Sequence, residues 1–141
     1  MHKNIPKIFV FLDQYEKKIF QNNNINLGII YRNYSNEKRQ EIYKIAAECK
    51  KKRFPLFISN NIKLAIKVKA NGIYIPSFNR SENFLNIEKK NFIIIGSAHN
   101  QKEIYQKRLQ KCVTIFLSPI FHVKKSKTFL NIFKFNNLTR N

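Results

Sequence analysis

Apolar residues in this chain fall into short continuous runs, and between the runs they recur at helical spacing. The runs are Lys7–Leu12, Ile25–Arg32, Phe54–Ile58, Gly72–Ile75, Asn91–Gly96 and Val113–Ser118. Short runs rich in Ile, Phe and Val predict strands, and an unbroken one such as Phe92-Ile93-Ile94-Ile95 predicts a strand covered on both faces. Asp13–Gln21, Asn36–Lys52, Asn60–Lys69, Arg80–Lys89 and Asn100–Lys111 have the period of helices. Asp13, Ser35, Asn60 and Asn100 stand at the starts of these segments as candidate N-caps, since a short polar side chain there can accept from an unpaired helix N–H.

Phe54–Ser77 compresses strand, helix and strand into the shortest such unit of the chain. A crossover through a helix returns the second strand parallel to the first, whereas an antiparallel return needs only a hairpin. Five βα units followed by a sixth strand therefore predict a parallel α/β fold. The period alone leaves two architectures open, an open doubly wound sheet and a (β/α)₈ barrel of eight units and at least about 200 residues. Phe129–Asn141 reads as a helix-like or irregular tail.

At 141 residues and 43% apolar content the chain is expected to form one globular domain, residues 1–141. Its net charge of +19 attracts anions of any kind, nucleic acid and phosphorylated small molecules included. The lysines are scattered over several helix faces rather than gathered in one patch, so a basic nucleic-acid binder ranks last among the functional readings. No apolar run approaches the length of a membrane span. The run Ile8–Leu12 is too short for a signal peptide, and a cytoplasmic protein is expected. Cys49 and Cys112 lack metal-ligand spacing and read as reduced structural thiols, which excludes a zinc site of the usual kind. No GxGxxG, P-loop or GxSxG pattern occurs, so classical dinucleotide and nucleotide-triphosphate sites are not expected.

Candidate chemistry gathers where the strands end. The second strand runs into Arg32-Asn33-Tyr34 and the third into Ser59-Asn60-Asn61. The fourth leads to Ser77-Phe78-Asn79, the fifth to Ser97-Ala98-His99, and the sixth to Ser118-Pro119 and then His122-Val123-Lys124-Lys125-Ser126-Lys127. In parallel α/β folds that edge binds ligands. Arginine, lysine, hydroxyl and amide groups without carboxylates suit a phosphate or pyrophosphate and leave no obvious seat for Mg²⁺. Each residue also has a plainer reading: Arg32 in a surface ion pair, Asn60, Ser97 and His99 as helix caps, His122 and Lys124–Lys127 as solvated loop.

In order and spacing these segments resemble the thiamine phosphate synthase/TenI family. Gly72-Ile73-Tyr74-Ile75-Pro76-Ser77 is similar to its Gly-Val-His-Leu-Gly-Gln strand, and Ile95-Gly96-Ser97-Ala98-His99 to its Ile-Gly-x-Ser-x-His strand. Ser118-Pro119-Ile120-Phe121 with Lys124–Lys127 resembles its Gly-Pro-Ile-Phe-x-Thr-x-Thr-Lys motif. Ile30–Tyr34 occupies the place of Gln-x-Arg-x-Lys, with only Arg32 kept.

The resemblance implies a (β/α)₈ TIM-barrel type of α/β fold, incomplete, with about six βα units present and the last two strands missing. It implies a transferase of thiamine biosynthesis that joins an aminopyrimidine diphosphate to a thiazole phosphate and releases pyrophosphate. Arg32, Ser97 and Lys127 are then the catalytic candidates, with Lys125 as the alternative to Lys127. Phosphate or substrate binding falls to Arg32, Ser59, Asn60, Ser77, Ser97, Ser126 and Lys127. The family cofactor is Mg²⁺, but its two aspartate ligands read Asn60 and Asn79 here, and a neutral amide is a far weaker ligand than a carboxylate. The competing reading is a non-catalytic TenI-like binder of phosphorylated ligands. A second copy or a partner chain is the expected means of completing the barrel.

Overall fold

The computed structural model describes residues 5–21, 23, 26–34, 38–84 and 91–140. The chain packs as two compact units, Met1–Tyr74 with Glu88–Ile93, and Ile75–Ile87 with Ile94–Asn141. The expected strands appear in order: β1 (Ile8–Leu12), β2 (Leu27–Tyr31), β3 (Leu56–Ser59), β4 (Gly72–Ile75), β5 (Ile93–Ala98) and β6 (Thr114–Leu117). Helices follow as α1 (Lys17–Phe20), α2 (Arg39–Lys52), α3 (Ile62–Lys67), α4 (Gln101–Leu109) and α5 (Asn131–Thr139).

In the first unit β1, β2, β3 and β4 pair in parallel, each with the next in the chain. Every residue of β2, β3 and β4 is buried, which is why these runs are apolar without alternation. Full burial of each Ile or Phe here contributes roughly 1.5–3 kcal/mol against exposure. The four strands curl. Phe9 of β1 meets Phe57 of β3 at 5.7 Å between ring centroids, and Phe11 of β1 meets Tyr74 of β4 edge-on at 5.3 Å. Flat strands spaced about 4.8 Å apart would hold β1 and β4 roughly three times that distance apart. Gly28 opens room for the curl, because a Cβ there would sit 3.0 Å from the Phe9 ring and 2.9 Å from Pro6.

In the second unit β5 and β6 pair in parallel, from Ile95 opposite Thr114 to Ala98 opposite Leu117. α4 is capped by Asn100, whose Oδ1 accepts from the Glu103 N–H at 3.0 Å, as its sequence suggests. The tail resolves into α5, none of whose residues is buried.

Several helix expectations need correction. Asp13 caps nothing, since α1 is one turn long and starts after Glu16. Asn60 is not the cap of α3: its φ is 60°, a left-handed conformation that Asn tolerates, whereas an N-cap is extended. The cap is Asn61, whose Oδ1 accepts from Leu64 N–H at 2.9 Å. Residues 80–84 of the helix expected over Arg80–Lys89 are loop and turn, while residues 85–90 and the candidate cap Ser35 lie outside the described residues.

Candidate functional site

Parallel pairing sets the strand ends of the first unit side by side. Tyr31 is opposite Ile58, so Arg32 follows β2 beside the point where Ser59 closes β3. Arg32 is exposed, its N–H donates to Leu12 O at 2.7 Å, and its guanidinium lies 4.6 Å over the Phe11 ring. Stacking on an aromatic face holds the planar cation without neutralising it. Ser59 is buried, and its hydroxyl lies 3.0 Å from the phenol oxygen of Tyr34. Asn60 comes next, half-buried, with its N–H donating to Tyr74 O at 3.0 Å. The first unit thus brings together Arg32, Ser59 and Asn60.

The second unit holds Ser77, Asn79, Ser97, Ser126 and Lys127. Ser97 is 6% exposed and stands one residue from the end of β5. Beyond it a cavity of about 560 Å³ opens, lined by His99, Ser118, Pro119, Ser126, Lys134 and Leu138 among others. That volume is in the range of small-molecule sites. His99 Nδ1 lies against Ser118 O, and the His99 N–H donates to Glu103 Oε2 at 2.7 Å, so the two strand ends are tied to each other and to α4. Ser126 Oγ donates to Thr128 O at 2.6 Å, folding the loop after β6 over the cavity. Lys127 is exposed in that loop, and the His122 ring rests edge-on against Phe129. Ser77 lines a separate groove of about 550 Å³ with Arg80, Asn100 and Gln106.

Lys134 in the cavity wall and the buried Lys107 went unremarked in the sequence. Lys134 had a signal: Leu130, Lys134, Asn137 and Leu138 share one face of a helical tail, and all four line the cavity. Lys107 had none, because it sits among polar neighbours on α4.

Asn79 does not offer what Mg²⁺ requires. Its side-chain Oδ1 accepts from the Ser81 N–H at 2.8 Å, and its main-chain oxygen accepts from Lys107 Nζ at 2.7 Å and Gln110 Nε2 at 3.0 Å. Protein Mg²⁺ sites are usually anchored by one or two carboxylates, and here the oxygens are neutral and already accept from protein donors, one of them an ammonium. Among the described residues no group of three or more His, Cys, Asp or Glu could hold a metal. Burial pushes the Lys107 ammonium below the ordinary lysine range, opposed in part by Cys112 and Glu103. Burial also pushes both thiols up to about 12, so Cys49 and Cys112 are inert at neutral pH, as their apolar settings in the sequence suggest.

A family model for thiamine monophosphate synthase matches residues 22–140. The chain belongs to that family. Its fold is also similar to that of a solved structure, thiamine phosphate pyrophosphorylase from Pyrococcus furiosus, at a TM-score of 0.73 and 13% identity, over 99% of this chain and 71% of that one. The fold is therefore of the (β/α)₈ barrel type, with six strands among the described residues. No curated protein matches the sequence. Family membership supports a role in thiamine biosynthesis and points to phosphorylated substrates. Among the described residues no helix is long and apolar enough to cross a membrane.

Proposed function

We propose that this chain is a thiamine phosphate synthase-like transferase that joins an aminopyrimidine diphosphate to a thiazole phosphate. The observation that carries the reading is the family match across residues 22–140, which spans the strand ends bearing the polar groups. In the reaction the bond between the pyrimidine methylene carbon and the diphosphate oxygen breaks, and its electron pair leaves with pyrophosphate. The thiazole nitrogen lone pair then forms the new carbon–nitrogen bond.

Negative charge develops on the leaving group, so preorganised donors and cations lower the barrier. Arg32, Ser97 and Lys127 take that role. Ser59, Asn60, Ser77 and Ser126 bind the phosphorylated substrates through hydroxyl and amide groups. The apolar lining of the 560 Å³ cavity suits a ring, and Ser126 and Lys134 in its wall suit a phosphate. No step is assigned to a metal, because Asn79 and its neighbours do not fit one.

One observation favours a second reading. Neutral amides at 60 and 79, the latter with its main-chain oxygen accepting from a lysine, fit a TenI-like binder of phosphorylated ligands without turnover. The test is incubation of the full chain with both precursors, with and without chelator, and detection of thiamine phosphate by its oxidised fluorescent product. Product that disappears in Arg32→Ala supports the synthase. Saturable pyrophosphate binding without product from a folded sample selects the binder.

A further inference from the structure

Lys107 is fully buried, yet its acceptors are both neutral oxygens. Its ammonium donates to Asn79 O at 2.7 Å and to Gln110 Oε1 at 2.8 Å. Gln110, fully buried as well, donates through Nε2 to Asn79 O at 3.0 Å and to Ser81 O at 2.7 Å. One turn away, Gln106 Nε2 reaches Arg80 O at 3.3 Å. Three consecutive carbonyls of the loop after β4 are thus held by α4 and its C-cap, that of Asn79 by the ammonium and Gln110 together and those of Arg80 and Ser81 by glutamine amides.

Oxygen dipoles converging on one buried cation are how proteins hold a small metal ion in a loop. Here the cation is covalently part of the chain. β5 makes room for it: a Cβ at Gly96 would stand 2.8 Å from Lys107 Cδ and would press on the lysine stem. A buried ammonium is costly unless its donors are satisfied, and this one is retained where an apolar residue would pack without that cost.

We propose that the Lys107 ammonium is the resident cation of the loop after β4, ordering Asn79–Ser81 in place of a divalent metal and excluding one by repulsion. Lys107 is a positioning residue. It touches the loop backbone, not a substrate, and the proposal is independent of whether the chain turns over. It also explains why an amide suffices at position 79: the loop needs no carboxylate to be held, and a carboxylate would recruit a metal the ammonium already replaces.

The test uses the full isotope-labelled chain and reads amide exchange and paramagnetic broadening by NMR. In Lys107→Met, which keeps the volume and removes the charge, the Ser81 amide should exchange about tenfold faster while the Ile95 and Gly96 amides hold. In Lys107→Ala, propylammonium should restore that protection and Mg²⁺ should not. In the unaltered chain, Mn²⁺ should broaden no loop signal selectively, a measurement that needs no variant to fold. Unchanged Ser81 protection in Lys107→Met, restoration of Lys107→Ala by Mg²⁺, or saturable Mn²⁺ broadening at Asn79 and Ser81 would each overturn the proposal. Thiamine phosphate formation enters none of these readouts, so failure of the synthase reading remains a separate result.

Discussion

The hydroxyls of Tyr34 and Ser59 lie 3.0 Å apart, linking the segment after β2 to the last residue of β3. Tyr34 stands where the family motif has lysine, so a group expected to meet ligand phosphate meets a protein hydroxyl instead. Tyr34→Phe removes one member of a partly buried pair and should lower stability by about 0.5–1.5 kcal/mol, read from the urea midpoint. An unchanged midpoint would show that solvent replaces the phenol at no cost.

Phe11 carries the Arg32 guanidinium over its ring and meets Tyr74 edge to face. Phe11→Leu forfeits both contacts and should cost about 1–2 kcal/mol in a denaturant titration. It also releases Arg32 from its rest position, so kcat and kcat/KM for the diphosphate substrate should fall together, several-fold. A rise in KM with kcat unchanged would confine Arg32 to ground-state binding.

Ser97 and Lys127 separate chemistry from stability. Ser97→Ala should lower kcat about 10²-fold if its hydroxyl stabilises the leaving pyrophosphate. Lys127 is exposed, and Lys127→Ala should shift stability by no more than about 0.5 kcal/mol while depressing turnover. Wild-type turnover in both variants would remove them from the site.

The cysteines give the protein an alkaline limit. Their folded pKa of about 12 lies above the ordinary thiol value near 9, so between those limits the unfolded chain has released protons that the folded chain keeps. Stability is then intact below about pH 9 and falls as pH rises, by roughly 1.4 kcal/mol per pH unit from buried Cys49. Cys49→Ala should flatten the decline measured by thermal melts between pH 9 and 11.

The strands were legible because burial on both faces leaves a signal in the residues themselves, as in Phe92-Ile93-Ile94-Ile95. The helices were less so. Asn60 and Asn61 are alike as caps on paper, and only the left-handed backbone at 60 decides between them. Arg80–Phe84 looked helical, but the carbonyls of Arg80 and Ser81 accept from Gln106 and Gln110. Placing Ser59 beside Arg32 was possible from strand order, since parallel register sets strand ends level. The Lys107 cluster was not, because all but one of its acceptors are main-chain oxygens, which carry no residue signature.

Phe133 on α5 is 82% exposed, with Ile132 beside it at 57%. Against this stands a charge of +19, which at low ionic strength makes one copy repel the next over tens of ångströms. At about 0.15 M salt the Debye length shrinks to roughly 8 Å, and repulsion opposes contact between the exposed rings only at short range. Salt therefore acts on this protein as a solubility switch of inverted sense to the usual salting-in. Light scattering should show dispersed particles in dilute buffer and association in saline, and Phe133→Lys should keep the chain dispersed in both.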